Sequence, residues 1–167
     1  QAQLNNEGWQ IWKSEWVLPE GLRLFDSPFT ITGTIDRIDI KDDTARIIDF
    51  KTSKSSEEYK VKNVFKQDSW RNLQLPLYAL LCKELPDFKD KKIEIAYFPI
   101  SEKINETALI NLPWDEQEQN TAQEQIKKII GSIKKRDWFE IGNPKFTNDT
   151  EQALIGKNYT ATETIKG

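Results

Sequence analysis

Residues 29–53, FTITGTIDRIDIKDDTARIIDFKTS, constrain the fold more than any other stretch of this chain. Two runs rich in Ile and Thr flank the polar tetrapeptide KDDT. Such runs suit a pleated, half-buried surface, and KDDT suits a tight turn between them. Residues 29–51 therefore read as a β-hairpin. Its second strand, within RIIDFKTS, places Asp49 and Lys51 two residues apart at the end of an apolar run. In a strand that spacing puts both side chains on one face, about 6.5–7 Å apart along the chain. Charged groups there are costly to desolvate, so the pair calls for a compensating role.

The other elements follow from periodicity. WQIWKSEWVLP mixes aromatic, apolar and polar residues in partial alternation up to Pro19 and reads as a strand. EGLRLFDSPFTITGTIDRIDI reads as two extended segments, the second over residues 29–40. Residues 52–67 are polar and lysine-rich, and read as a mobile loop with room for a short helix. In NLQLPLYALLCKEL, Leu73, Leu77, Leu80 and Leu81 recur at helical spacing, with Asn72 as the N-cap. Pro76 is tolerated because it sits near the helix start. KKIEIAYFPIS is a strand and NETALINLP its hairpin partner. DEQEQNTAQEQIKKIIGSIKKRDWF is a long helix, acidic at its start and basic at its end, as the helix dipole favours. The expected domain spans residues 1–141, followed by an irregular tail at 142–167. The order strands, helix, strands, helix is that of an α/β domain with a mixed sheet. At 167 residues the chain fits a single core.

Composition excludes several chemistries. There is no histidine, so no imidazole base and no histidine-bound zinc. The one cysteine, Cys82, permits neither an internal disulfide nor a multi-cysteine cluster, and reads as a buried, inert thiol. A metal held by this chain needs oxygen ligands, which favours Mg²⁺, Mn²⁺ or Ca²⁺. The net charge of −3 gives no global basic signature for nucleic acid, although a local strip is enough for an enzyme. No apolar run has the length of a membrane span, and the polar start has no signal core, so no membrane association and a cytoplasmic location are expected. Methionine is absent even at position 1, which leads us to expect an N-terminally truncated fragment of a longer protein.

If the hairpin pairs around KDDT, Asp36 in GTIDRIDI approaches Asp49 from the side. Two neighbouring carboxylates repel unless a cation lies between them. A divalent metal resolves that repulsion, and a nearby lysine then stabilises charge on an attacking water or a phosphate oxygen. Such a set suits hydrolysis of a phosphodiester. Gln74 and Tyr78, four apart at the front of the helix, share a face that can reach a phosphate or the metal-binding strand. Glu15, in the first strand, can hold the metal through a water or orient Lys51. Each piece also has an ordinary reading. D-x-K is a common tripeptide, the aspartates of the hairpin can be a solvated face, and Gln74 and Tyr78 can be a surface amide and a half-buried ring.

Taken together and in order, Glu15, GTIDRID, IIDFKTS and QLPLY resemble the PD-(D/E)xK nuclease superfamily over about residues 15–80. The closest likeness is to the branch of RecB- and AddB-like exonucleases. The resemblance implies a restriction-endonuclease-like core, a mixed central sheet flanked by helices. It implies Mg²⁺ or Mn²⁺ bound by Asp36, Asp49 and the Phe50 carbonyl, with Lys51 as the catalytic lysine and Glu15 at the upstream acidic position. Gln74 and Tyr78 match the helix motif that shapes the site and binds DNA. Arg37 follows the pattern as an ion-pair partner of a neighbouring acid. Lys54 and Arg71 are candidates to track a DNA backbone. Two departures stand out. Members of the branch often carry a metal-binding histidine upstream of the Glu15 position, and this chain has none. Many also hold an iron–sulfur cluster through cysteines after the last helix, where this chain has no cysteine, so no iron–sulfur cluster is expected.

The leading expectation is thus a metal-dependent DNA nuclease domain, an exonuclease module working with a helicase region of the same or a partner polypeptide in recombination and repair. The alternatives are a catalytically inactive nuclease-like module that binds DNA or protein, and a plain structural domain whose acidic hairpin faces water.

Overall fold

The computed structural model describes residues 8–53, 56–101 and 108–135. Strand β1 (Gln10–Val17) is followed by β2 (Thr34–Lys41) and β3 (Thr44–Ser53). A 3-10 turn (Ser56–Tyr59), the short helix α1 (Val61–Val64) and helix α2 (Gln74–Lys83) form the crossover to β4 (Lys92–Ser101). A short β5 (Ile110–Leu112) and the long helix α3 (Glu116–Lys135) follow. The strands form one five-stranded sheet in the order β1-β2-β3-β4-β5. All neighbours are antiparallel except β3 and β4, which run parallel. This is the mixed sheet with flanking helices that the sequence led us to expect. No helix among the described residues is long and apolar enough to cross a membrane.

The parallel pair lies at the centre because both of its faces are apolar. Ile47, Ile48, Ile95 and Ala96 are fully buried, as parallel strands require. Helix α2 covers this pair, and it is apolar around most of its circumference: Leu75 to Cys82 are all buried. Such a helix is stable only between two layers. The sheet forms one and α3 the other, presenting Ala122, Ile126 and Ile130 at four-residue spacing. Asp115 and Glu118 cap α3 reciprocally. Asp115 Oδ1 accepts from the Gln117 N–H at 2.9 Å, and Glu118 Oε2 accepts from the Asp115 N–H at 3.3 Å.

Three sequence expectations change. Residues 20–33 are not a strand, and β2 begins at Thr34 rather than at residue 29. Phe25 and Asp26 adopt left-handed φ values of 54° and 52°, and the Ser27 N–H bonds the Leu24 carbonyl, folding the segment into a turn that buries Leu24 and Ile31. Residues 56–67 are built rather than loose. Tyr59 packs on Tyr97, and Phe65 and Trp70 pair in a two-residue hairpin whose tip, Gln67–Asp68, is also left-handed. Gln125 of α3 holds this hairpin like a strand: its amide accepts from the Trp70 N–H at 2.8 Å and donates to the Trp70 carbonyl at 3.0 Å. These contacts are tertiary, so no local periodicity announces them. Finally, Leu73 rather than Asn72 is the N-cap of α2, although Asn72 Oδ1 still accepts the Gln74 N–H at 2.9 Å. The tail expected at 142–167 lies outside the described residues.

Beneath β2 lies a buried ion pair. Arg37 donates to both carboxylate oxygens of Asp39 at 2.6 and 2.8 Å, and Asp39 is fully buried. The sequence reading of Arg37 as a partner of a neighbouring acid holds, and Asp39 is not part of a solvated face. Removing one partner of such a pair strands the other charge away from water. Asp39→Ala is expected to lower stability by about 3–5 kcal/mol in equilibrium urea unfolding. Replacing both residues with Met and Leu is expected to recover most of that loss. Cys82 is fully buried, and burial pushes its thiol up to about 12. It is expected to react with a disulfide reagent at pH 8 only as fast as the domain unfolds, with rates rising in step with urea.

Candidate active site

The β2–β3 ladder runs from the turn to Arg37↔Ile48 and stops there. One step further, the same register sets Asp36 opposite Asp49. The strands then part. β2 stays with β1 through Thr34↔Val17, while β3 stays with β4 through Ser53↔Ser101. In the notch between them the Asp36 carboxylate accepts the Phe50 N–H at 2.7 Å. An extended residue sends its N–H and its C=O to the same edge. The Phe50 carbonyl therefore also points toward the Asp36 side of β3.

Lys51 lies on the Asp49 face. Its Nζ is 3.0 Å from Asp49 Oδ2 and donates to Gln74 Oε1 at 2.9 Å. It also lies 6.0 Å from the centre of the Tyr97 ring, and Tyr97 is the register partner of Asp49 on β4. Asp49 is buried and Lys51 nearly so, which strengthens their attraction over that of a surface pair. The α2 helix supplies Gln74 because its first turn opens over β3. Four residues on, on the same face of the helix, Tyr78 meets the Gln74 amide, which favours its ionised form. Burial, then the charges of Asp49 and Asp36, raise the Tyr78 hydroxyl above the ordinary tyrosine value, so it stays protonated at neutral pH.

The structure thus brings Asp36, Asp49, Phe50, Lys51, Gln74 and Tyr78 together. It does not bring Glu15 in. The β1–β2 register, Ser14↔Arg37 and Trp16↔Ile35, sets the Glu15 backbone opposite Asp36. Yet Glu15 has a left-handed φ of 48° and an exposed side chain, so strand alternation breaks there. Among the described residues no three carboxylate, histidine or cysteine groups are gathered as a metal cage. Arg71 is exposed, three residues before Gln74, and Lys54 lies outside the described residues. The sequence reading missed Tyr97, whose place beside Asp49 depends on a parallel register no local pattern reveals. It also missed Tyr59, which packs against Tyr97 with ring centres 5.4 Å apart.

The donor set fits a hard divalent cation. Two carboxylates and one backbone carbonyl are all oxygen, and Mg²⁺ or Mn²⁺ is commonly held by one or two carboxylates with waters completing the shell. An open groove of about 910 Å³ elsewhere, between the Ser69 hairpin and the start of α3, does not suit a polyanion. Asp68, Asp115, Glu116 and Glu124 line it against a single lysine, Lys128.

A family model described as the PD-(D/E)XK nuclease superfamily matches residues 1–152. No curated protein matches the chain significantly. Among solved structures, the crystal structure of SSO0001 aligns with 18% identity and a TM-score of 0.40, over 98% of this chain and 65% of that one. The chain therefore spans less than two thirds of that protein's length.

The notch generates a direct test. Millimolar Mn²⁺ is expected to raise the thermal midpoint of the wild-type domain, by the equivalent of about 2.7 kcal/mol at a hundredfold excess over Kd. The Asp36→Asn/Asp49→Asn protein is expected to show no metal-dependent shift in the same calorimetric scan.

Proposed function

This chain belongs to the PD-(D/E)XK nuclease superfamily, and on that premise we propose that it is a divalent-metal-dependent deoxyribonuclease of the RecB/AddB-like exonuclease branch. In this reading it acts beside a helicase region of the same or a partner polypeptide, in DNA recombination or repair. The observation that carries the reading is the meeting of Asp36, Asp49, Lys51 and Gln74 at the parted end of the hairpin. A solvated acidic hairpin has no reason to hold an ammonium between a buried carboxylate and a helix amide.

In the proposed mechanism Asp36, Asp49 and the Phe50 carbonyl would hold Mg²⁺ or Mn²⁺. When bound, the metal would supply Lewis acidity toward a phosphate oxygen and make water a stronger acid. Lys51 does the remaining electrostatic work. Its ammonium faces the phosphate, orients the attacking water and stabilises negative charge that grows on the phosphoryl oxygens. Gln74 keeps the ammonium on that bearing. Water adds to phosphorus as the bond to the leaving sugar oxygen breaks, and no covalent intermediate with the chain forms. Arg71, exposed near the start of α2, is proposed to meet the DNA backbone, and Lys54 to act with it.

Activity on end-labelled single- and double-stranded DNA tests the proposal. Cleavage is expected with Mn²⁺ or Mg²⁺ and not with EDTA, and Lys51→Ala is expected to slow it by about 10²–10³-fold, the scale of losing one charge-stabilising donor. A ladder growing from one labelled end supports the exonuclease mode. Equal rates for wild type and Lys51→Ala would sink the mechanism, and DNA binding without cleavage would favour an inactive binding module.

A further inference from the structure

We propose that Gly33 is a positioning residue for Lys51, acting through Tyr78 and Gln74. The catalytic consequence rests on the nuclease reading above. A Cβ at position 33 would lie 2.8 Å from the Tyr78 hydroxyl oxygen, 3.1 Å from its Cε1 and 3.3 Å from its Cζ. Atoms in folded proteins do not pack that closely, so one partner would have to move. Neither has free space. The Gly33 carbonyl is bonded to the Leu18 N–H at 2.9 Å, and Tyr78 is buried on a helix whose neighbours Leu75, Leu77 and Ala79 are fully buried. Gly33 does not have the left-handed backbone that would demand glycine. What position 33 requires is the absence of a side chain.

The space matters because of what the tyrosine holds. An ammonium can only donate, so the amide oxygen of Gln74 faces Lys51, and the Tyr78 hydroxyl, which can donate or accept, meets the same amide. Gln74 is half-buried and its side chain has three rotatable bonds, so its direction is set by these two bonds. Displacing the hydroxyl removes one of them and lets the amide swing, and Lys51 loses its fixed acceptor. Gly33 thus connects the loop before β2 to the catalytic ammonium through two side chains of α2.

The test is a double-mutant cycle of wild type, Gly33→Ala, Tyr78→Phe and the double variant. Two readouts are taken: kcat and KM for Mn²⁺-dependent DNA cleavage, and the Gln74 side-chain amide signals by NMR. Each single variant is expected to lower kcat on the order of tenfold, as loss of an orienting partner does, with KM changed by less than about twofold. The double variant is expected to match Tyr78→Phe, because the displaced hydroxyl is already gone. Multiplied losses of about a hundredfold, or a wild-type kcat in Gly33→Ala, would overturn the proposal. By NMR, Gly33→Ala is expected to move the Gln74 amide signals to their Tyr78→Phe positions; unmoved signals would overturn it. That second readout needs no activity, so a wild type that does not cut DNA would defeat the nuclease reading and leave the Gly33 linkage to the spectra. If Gly33→Ala does not fold, recovery of the fold in Gly33→Ala/Tyr78→Leu, which removes the ring carbons at 3.1 and 3.3 Å as well as the hydroxyl, supports the Tyr78 clash, and its failure refutes it.

Discussion

The site depends on one hydrogen bond made where a ladder stops. Beyond Arg37↔Ile48 the strand β2 no longer supplies carbonyls to β3, and the Phe50 N–H would fall to water. The Asp36 carboxylate replaces the missing acceptor. That bond fixes Asp36 beside Asp49 and allows the strands to diverge without an unsatisfied backbone group. The divergence is held from both sides, by β1 on β2 and by β4 on β3. A hairpin paired to its end would hide both carboxylates, and a hairpin without outer neighbours would let them separate.

Charge is arranged to match. Two carboxylates and one ammonium meet in the notch, leaving a local excess of negative charge that favours a small cation. Lys51 offsets the repulsion between the acids and is itself restrained by a neutral amide rather than by a third acid. The Arg37–Asp39 pair, one and three residues further along β2, is electrically neutral as a unit. It satisfies the interior without adding a competing field to the notch.

Much of this was legible in the chain. The hairpin, its turn and the juxtaposition of Asp36 with Asp49 follow from strand periodicity around KDDT. The facing of Gln74 and Tyr78 follows from helical spacing. What was not legible arises from contacts distant in sequence. Glu15 has the right residue type and the right register, but its backbone turns left-handed and takes the side chain outward. Residues 56–67 look featureless because Gln125 and Tyr97, far along the chain, do the holding. Nothing local to Gly33 in the sequence points to Tyr78, which the fold sets against it.

The parallel pairing of β3 with β4 also has a kinetic meaning. β2 and β3 are joined by short-range contacts, Lys41↔Thr44 to Arg37↔Ile48, and can zip from the Asp42–Asp43 turn, whereas β1 reaches β2 across the intervening segment, through Val17↔Thr34 to Gln10↔Ile40. β4 joins only after the whole crossover has closed, as the Arg46–Glu94 bond spans 48 residues. Non-local closure is slow because its chain entropy must be lost before its contacts reward it. Pulse-labelled hydrogen exchange would read this as protection in β2 that precedes protection in β4. On that order of events the acidic notch is assembled last, and a partly folded chain, however much of its hairpin has formed, holds no working site.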